Sequence, residues 1–199
     1  MKPRWRVLIV DDHVPSRSAA AEAVTLEGGE VVGYGSCVED AVPLVERLHP
    51  DVAVLAVGLP DGDGLEAVRR IMAAAPCPLV LLTSRTDAVV AARAVEAGVL
   101  GFLVKPLRQP ELAPALDLAV SRFRELEAVR QENQALKRKL ESRKIIDRAK
   151  GILIQRLGLT EPEAYRRLQK TAMDTRKPIA EVAEALLLTD DLGQPRSSR

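Results

Sequence analysis

The segment DVAVLAVGLPDGDGLEAVRR, residues 51–70, decides the fold of the first part of this chain. Its apolar run Val52–Val57 has the length of a strand, and the apolar spacing after the Gly-rich loop is that of a helix. A strand that is apolar on both faces is typical of a parallel sheet covered by helices. The segment therefore predicts an α/β architecture, with a loop at the carboxyl end of a buried strand.

The same alternation extends over the first 120 residues. Helices are expected near 15–27, 38–48, 64–75 and 86–97. Strands are expected at Val7–Val10, Glu30–Tyr34, Val52–Val57, Leu79–Leu82 and Leu100–Val104. Five such units predict a doubly wound, five-stranded parallel sheet with the flavodoxin-like strand order 2-1-3-4-5.

Composition excludes several classes of protein. Apolar residues make up 47% of the 199 residues and aromatic residues only 3%, so the core is expected to be aliphatic. No apolar run approaches the roughly 18–20 residues of a membrane span, and the chain starts directly with a strand, so we expect no signal peptide and a cytoplasmic location. Cys37 and Cys77 stand far apart without a CxxC pair, which argues against a disulfide scaffold or a zinc site.

Polar residues stand where the predicted strands end. In open α/β sheets, sites form outside the carboxyl ends of the strands. Asp11 and Asp12 follow the first strand, Thr83 follows the fourth and Lys105 follows the fifth. Adjacent carboxylates favour Mg²⁺, and a hydroxyl with an ammonium group can hold phosphoryl oxygens. At the end of the third strand, where a carboxylate would be expected, stands Ala56.

Four stretches at these positions resemble a known family. VLIVDD, LPDGDG, LLTS and GFLVKP look like the receiver domain of two-component response regulators, over residues 5 to about 120. The resemblance implies phosphotransfer from a sensor histidine kinase. The residues carried over are the Mg²⁺-binding Asp11, Asp12 and Gly58, the phosphoryl contacts Thr83 and Lys105, and the aromatic switch Phe102.

The resemblance places the phospho-accepting aspartate at Ala56. A methyl group is no nucleophile, and its lack of a carboxylate should also weaken Mg²⁺ binding. Asp61 and Asp63 read as residues of a Gly-rich turn rather than as substitute acceptors. Two explanations stay open: a natural receiver that signals without phosphate, through a partner protein or a small ligand, or an engineered Asp→Ala variant.

A long helix is predicted from Gln109 to about Leu157. A heptad repeat fits its middle, with Leu126, Asn133 and Leu140 at a positions and Val129 and Leu136 at d positions. A single Asn among apolar a positions favours a parallel dimer in one register. The alternative is an amphipathic helix that packs on its own protein.

The rest of the chain is basic and helical. Residues 137–177 contain 13 Lys/Arg and 5 Asp/Glu, whereas residues 1–120 contain 11 and 16. Helix breaks near 158–162 and 175–178 predict a three-helix bundle, with Tyr165 and Met173 expected on its buried side. The candidate phosphate contacts are Arg143, Lys144, Arg148, Lys150, Arg176 and Lys177.

This basic segment resembles the ANTAR domain, an RNA-binding module of transcription antiterminators. The matching residues include the run Arg148–Gly151, the run Glu163–Tyr165, and Leu168. The resemblance implies a dimer that binds tandem stem-loops in nascent RNA and prevents a terminator from forming. It assigns RNA contact to four of the basic residues, Arg148, Lys150, Arg176 and Lys177.

The sequence thus predicts a receiver domain at 1–120, a coiled-coil linker at 121–142, an ANTAR domain at 143–189 and a disordered tail at 190–199. We expect no enzyme, because the chain lacks a nucleophile–base pair and a phosphate loop. Two other functions stay open: a DNA-binding response regulator, and a dimerising protein-interaction module.

Overall fold

A computed structural model of the chain describes residues 3–84 and 88–193. The strands are β1 (Arg6–Val10), β2 (Glu30–Gly35), β3 (Val52–Ala56), β4 (Gly58–Leu59), β5 (Gly62–Asp63), β6 (Leu79–Thr83) and β7 (Gly101–Val104). The helices are α1 (Val14–Leu26), α2 (Val38–Leu48), α3 (Gly64–Ala74), α4 (Ala88–Ala97), α5 (Gln109–Leu157), α6 (Glu161–Thr175) and α7 (Ile179–Gly193). The chain divides into two compact units, Met1–Ala128 and Val129–Arg199.

The first unit is built on a five-stranded parallel sheet in the order β2-β1-β3-β6-β7. This confirms the predicted flavodoxin-like order, because β6 and β7 are the fourth and fifth strands of that sheet. The register pairs Val10 with Leu55 and Ala56 with Leu82, so the carboxyl ends of the three central strands lie at one edge.

Two apolar layers cover the sheet because successive strand residues point to opposite faces. Leu8 and Val10 of β1 pack with residues of α2, α3 and α4, whereas Val7 and Ile9 pack with residues of α1 and α5. Every residue of β3 and β6 is buried. The uninterrupted apolar runs of these strands follow from burial on both faces.

The loop after β3 contains a short antiparallel pair, β4 with β5, which the sequence did not predict. The strand β3 ends at Ala56, one residue before the predicted end, and β7 begins at Gly101, one residue after its predicted start. The pair β4–β5 was not predicted because two-residue strands carry no periodicity that a sequence pattern can detect.

In the second unit, the end of α5 packs with α6 and α7 around a small core. Its buried members are Ala149, Leu153, Ala164, Leu168 and Ala183. Thr160 and Glu163 form the predicted capping box at the start of α6, and Arg176 ends that helix in the left-handed conformation. In the described part of the chain, no helix combines the length and apolar character that a bilayer crossing needs.

Two predicted core residues of this unit are exposed instead. Tyr165 is 44% exposed and Met173 73% exposed. The buried face of α6 carries Ala164 and Ala172, and each exposed residue directly follows one of them. One residue further along an α-helix is a rotation of about 100°, which turns both side chains away from the core.

The predicted start of a disordered tail at residue 190 is also wrong. Helix α7 continues to Gly193, and Asp190 is buried in an ion pair with Arg156 of α5. This pair holds the end of α7 against the end of α5. The remainder of the predicted tail, residues 194–199, lies outside the described residues.

Candidate functional sites

The first candidate site is a pocket of about 490 Å³ at the carboxyl edge of the sheet. Its lining is Val57, Gly58, Gly62, Asp63, Leu82, Thr83, Ser84, Arg93 and Lys105. Thr83 and Lys105, both predicted site residues, are neighbours here, since the backbone N–H of Lys105 donates to the carbonyl of Thr83 at 2.8 Å. The structure thus brings together the ends of β6 and β7, as the parallel order requires.

Asp11 and Lys105 form an ion pair across this edge. Lys105 Nζ lies 2.7 Å from Asp11 Oδ2. The contact is an ion pair, but its angles do not meet those of a hydrogen bond. The other carboxylate oxygen accepts the backbone N–H of His13 at 3.0 Å. Asp11 is 1% exposed, whereas its neighbour Asp12 is exposed. The buried carboxylate therefore already has a cation and a backbone donor as partners.

Ala56 is the last residue of β3 and is 1% exposed. The following loop turns tightly over it: a Cβ atom on Gly64 would lie 2.0 Å from the Ala56 carbonyl oxygen. The N–H of Gly64 also donates to the Val57 carbonyl at 2.7 Å. Only glycine fits at residue 64, so the backbone around Ala56 is closely constrained. What Ala56 presents there is a methyl group, with no atom that reacts or binds a metal.

The two aspartates of the loop have structural roles. Asp61 accepts the backbone N–H groups of Val38 at 2.7 Å and Glu39 at 3.1 Å, at the first turn of α2. These hydrogen bonds lower the pKa of Asp61. Asp63 is the N-cap of α3 and lies 2.7 Å from Arg93 Nη2. Both carboxylates thus satisfy helix donors or a cation, in agreement with the turn interpretation.

The carboxylates present here limit metal binding. In residues 3–84 and 88–193, no group of three His, Cys, Asp or Glu side chains is placed to hold a metal ion. Asp11 is paired with Lys105, and Asp63 with Arg93. Because Mg²⁺ in proteins keeps several waters and needs only one or two carboxylates, Asp11 and Asp12 are the residues at this edge that would hold it.

Phe102, the predicted switch residue, lies on β7 at one edge of the sheet. Its side chain is about a third exposed, and Val104 of the same strand is also exposed. Its position is compatible with a switch role.

The second candidate site is the basic surface of the helical unit, where one predicted residue differs from the rest. Lys150 is only 15% exposed, and its Nζ lies 2.7 Å from both Asp147 and Glu161. These two carboxylates raise the pKa of Lys150, and Lys150 in turn lowers the pKa of Asp147. Lys150 therefore joins α5 to the start of α6, and its charge is already compensated.

The other predicted basic residues are exposed. Lys144 lies 2.8 Å from Glu141, and Arg143 lies 3.9 Å from Asp147, which is a long contact. Arg148, Arg176 and Lys177 are exposed and have no acidic partner within 4.0 Å among the described residues. These three side chains present uncompensated positive charge to solvent.

A cleft beside this surface contains residues that sequence reasoning did not assign. It measures about 510 Å³ and is lined by Arg138, Lys139, Ser142, Arg143, Ile146, Asp147, Lys150 and Tyr165. Arg138 and Lys139 lie in the predicted linker 121–142 and were not among the candidate phosphate contacts. Residues 139, 143, 146 and 150 recur at helical spacing on one face, and this spacing is the signal that could have identified Lys139.

The predicted coiled-coil positions form an unpartnered apolar stripe on α5. Leu126, Val129, Leu136 and Leu140 are each about half exposed or more, and Asn133 between them is exposed too. The described residues of this chain place nothing over these four large apolar side chains.

Comparison with known proteins matches each of the two units to a family. Residues 7–117 match the response regulator receiver domain family, and residues 134–187 match the ANTAR domain family. Over 193 residues the chain is 40% identical to the transcriptional regulatory protein PdtaR of Mycobacterium tuberculosis (strain CDC 1551 / Oshkosh), covering 97% of this chain and 93% of the relative.

Solved structures share the fold of the first unit. The signal receiver domain of a modulated diguanylate cyclase from Desulfovibrio desulfuricans G20 has a TM-score of 0.57 at 28% identity, covering 62% of this chain and 98% of that one. The signal receiver domain of the putative response regulator NarL from Mycobacterium tuberculosis has a TM-score of 0.56 at 27% identity, covering 59% and 98%.

Fold and strand-end pocket together define a receiver-type response regulator. With the match of its second unit, the chain belongs to the ANTAR-containing response regulators related to PdtaR.

Proposed function

We propose that this protein binds stem-loops in nascent transcripts and promotes transcription antitermination. The observation that carries the proposal is the exposed, uncompensated charge of Arg148, Arg176 and Lys177. All three residues lie within the segment 134–187 that matches an RNA-binding family. Cations that neutralise phosphates release counterions, so binding should weaken as salt concentration rises. The contact set is Arg143, Lys144, Arg148, Arg176 and Lys177, with Lys150 holding the helices that carry them.

We further propose that the receiver accepts no phosphoryl group and is not an enzyme. Ala56 stands at the acceptor position and provides no nucleophile. Asp11, Asp12 and the backbone of Gly58 bind Mg²⁺ weakly, while Thr83 and Lys105 are the residues that would face a phosphoryl group. The input is a docked sensor histidine kinase or a signalling partner that uses no phosphate, with Phe102 as the switch.

The homodimer is the third part of the proposal. Two copies of the stripe Leu126–Leu140 cover each other in a parallel coiled coil, with Asn133 setting the register. In this arrangement residues 1–120 form the receiver, 121–142 the linker and 143 onward the RNA-binding domain. The receiver biases how the long helices pair, and the paired helices present two basic surfaces to tandem stem-loops.

The test is a titration of full-length protein against stem-loop RNA and duplex DNA at several salt concentrations. The stem-loop RNA is selected from a random-loop pool on the wild-type protein. We expect the double variant Arg143→Glu/Arg148→Glu to lose at least about tenfold in RNA affinity, with a shallower salt slope. Arg47→Glu is the matched control, because it reverses an exposed charge on α2, within the receiver.

Tighter binding to duplex DNA would replace the RNA proposal with a DNA-binding response regulator. A pool that yields no RNA binder would also overturn it. If charge reversal leaves the regulatory activity intact, the basic surface is not the output site, and a dimerising protein-interaction module becomes the better description.

A further inference from the structure

The cleft between α5 and Tyr165 has a surplus of positive charge. Arg138, Lys139, Arg143 and Lys150 line it, against the single acid Asp147. Asp147 is already in an ion pair with Lys150, whose Nζ lies 2.7 Å from both Asp147 and Glu161. The other three cations are exposed, and Arg138 and Lys139 have no acidic partner within 4.0 Å among the described residues. An anionic ligand is therefore the complement of this cleft.

Tyr165 provides an aromatic surface in the same cleft. Its side chain is 44% exposed, and the buried face of α6 is formed by Ala164, Leu168 and Ala172 without it. An aromatic ring that leaves the core and lies beside three cations combines the two features by which proteins hold unpaired nucleotides. RNA loops offer such nucleotides, since their unstacked bases splay out onto aromatic side chains.

The ion pairs of Lys150 give the cleft its shape. They join α5 to the first turn of α6, the helix that carries Tyr165. Lys150 is thus a positioning residue: it sets where the ring stands relative to Arg138, Lys139 and Arg143. The volume of about 510 Å³ lies within the roughly 300–1,000 Å³ range of small-ligand sites, which suits a single nucleotide.

We propose that Tyr165 is the platform on which one unpaired loop base of the RNA stacks, while Arg138, Lys139 and Arg143 contact the flanking phosphates. The inference rests on the proposed RNA-binding function and adds a base-stacking subsite to it. According to this proposal, the side chain of Tyr165 is what makes the protein bind a looped RNA more tightly than a continuous duplex.

The experiment uses the full-length protein and the stem-loop RNA selected above. Two further RNAs are the same stem with abasic loop positions, and a continuous RNA duplex of equal length. The variants are Tyr165→Leu, Tyr165→Phe, and the matched control Met173→Leu, which changes another exposed side chain of α6. Circular dichroism and sedimentation show that each variant keeps its helicity and oligomeric state.

Tyr165→Leu should lower the stem-loop affinity about tenfold, in line with the loss of one stacked base. Tyr165→Phe, which keeps the ring, and Met173→Leu should stay within about twofold of the wild type. The affinity for continuous duplex RNA should be unchanged. The abasic loop should lower the affinity of the wild-type protein as much as Tyr165→Leu lowers the affinity for the intact loop. Combining the abasic loop with Tyr165→Leu should cause no further loss of affinity.

The outcomes separate this inference from the function it rests on. If the wild type selects no RNA, the proposed function fails. If the wild type binds RNA and the Arg143→Glu/Arg148→Glu variant does not, while Tyr165→Leu binds normally, only the stacking subsite is overturned. If Tyr165→Leu leaves RNA binding intact but abolishes binding of an acidic poly-glutamate peptide, the cleft is a protein-docking site instead.

Discussion

The pocket at the sheet edge and the basic helical surface use charge in opposite ways. At the carboxyl edge of the sheet Asp11 is paired with Lys105 and Asp63 with Arg93, and the buried Ala56 contributes only a methyl group. On the helical surface several cations face solvent, while Lys144 and Lys150 have acidic partners. The charges of the first region therefore support the fold whether or not a reaction takes place. Three cations of the second region, Arg148, Arg176 and Lys177, have no acidic partner within 4.0 Å among the described residues and are available to a ligand.

The sharpest way to test this comparison is to restore the missing carboxylate. Wild-type protein incubated with acetyl phosphate and Mg²⁺ should show no added phosphoryl group by mass spectrometry, because Ala56 has no nucleophile. Ala56→Asp should gain one, at residue 56. Ala56→Asn, which has nearly the same shape without a nucleophilic carboxylate, is the matched control.

A phosphorylated wild type would show that another residue, such as Asp61 or His13, accepts the group. An Ala56→Asp protein that stays unmodified would show that the Asp11–Lys105 pair has closed the pocket to phosphotransfer. Comparing RNA affinity of Ala56→Asp with and without the phosphodonor then measures how strongly the first region controls the second.

The coiled-coil stripe should give the next largest effect. Leu136→Lys places a charge in each half of the proposed seam and removes two buried leucines, each worth about 1.5–3 kcal/mol. We expect dimer dissociation to rise at least about 100-fold, measured by sedimentation. Gln134→Lys, at a b position of the same helix, adds the same charge outside the seam and should leave the dimer intact.

If the wild-type protein is monomeric at all concentrations tested, the long helix works alone and the dimer proposal fails. Asn133→Ile refines the test. It should strengthen association while relaxing the choice of register and oligomer size, as polar a positions trade stability for specificity.

The Asp11–Lys105 pair should matter for stability even without phosphate. Asp11→Asn leaves Lys105 without its partner and should lower the free energy of unfolding by about 2–3 kcal/mol in urea titrations. This is at or below the lower end of the roughly 3–5 kcal/mol range for fully buried pairs, because Lys105 is 21% exposed. The adjacent and exposed Asp12→Asn should change it by less than about 0.5 kcal/mol. A stabilised Asp11→Asn protein would mean that repulsion between Asp11 and Asp12 exceeds the attraction of the pair.

The smallest expected effect is the pH dependence of the loop carboxylate Asp61. Backbone hydrogen bonds lower the pKa of Asp61 in the folded state. Its contribution to stability is therefore complete above the unfolded pKa and is lost as the pH falls through the lower, folded value. Urea titrations at about pH 6 and about pH 3 should show a smaller loss of stability for Asp61→Asn than for wild type.

Glu22→Gln, which removes an exposed carboxylate of α1, is the matched control for Asp61→Asn. An Asp61→Asn protein that keeps the full wild-type pH dependence would show that the contacts with Val38 and Glu39 contribute nothing to stability.

Local sequence patterns were sufficient to predict most of the fold of the first unit. The buried strands β3 and β6 are apolar on both faces, which a sequence records directly, and the parallel order follows from the strand–helix alternation. The positions of Asp11, Thr83 and Lys105 at one edge follow from that order. The role of Asp61 was only partly predictable, because its hydrogen-bond partners on α2 lie far from it in sequence.

The helical unit shows where pattern reasoning stops. Helix breaks and the Thr160–Glu163 capping box were predictable, since capping chemistry is local. The exposure of Tyr165 and Met173 was not, because both are apolar and differ from their buried neighbours by a single step of helix rotation. Which face of α6 meets α5 is set by packing between helices.

Four features could be read from the amino-acid sequence alone: the order of strands and helices, the edge at which the site residues gather, the lack of a carboxylate at Ala56 and the basic character of the second unit. Each of these depends on residue type and short-range spacing. Only the tertiary structure shows that Asp11 pairs with Lys105, that Lys150 forms ion pairs with Asp147 and Glu161, and that Tyr165 is exposed beside three cations. Those outcomes depend on which side chains meet in space, and neither composition nor periodicity records that.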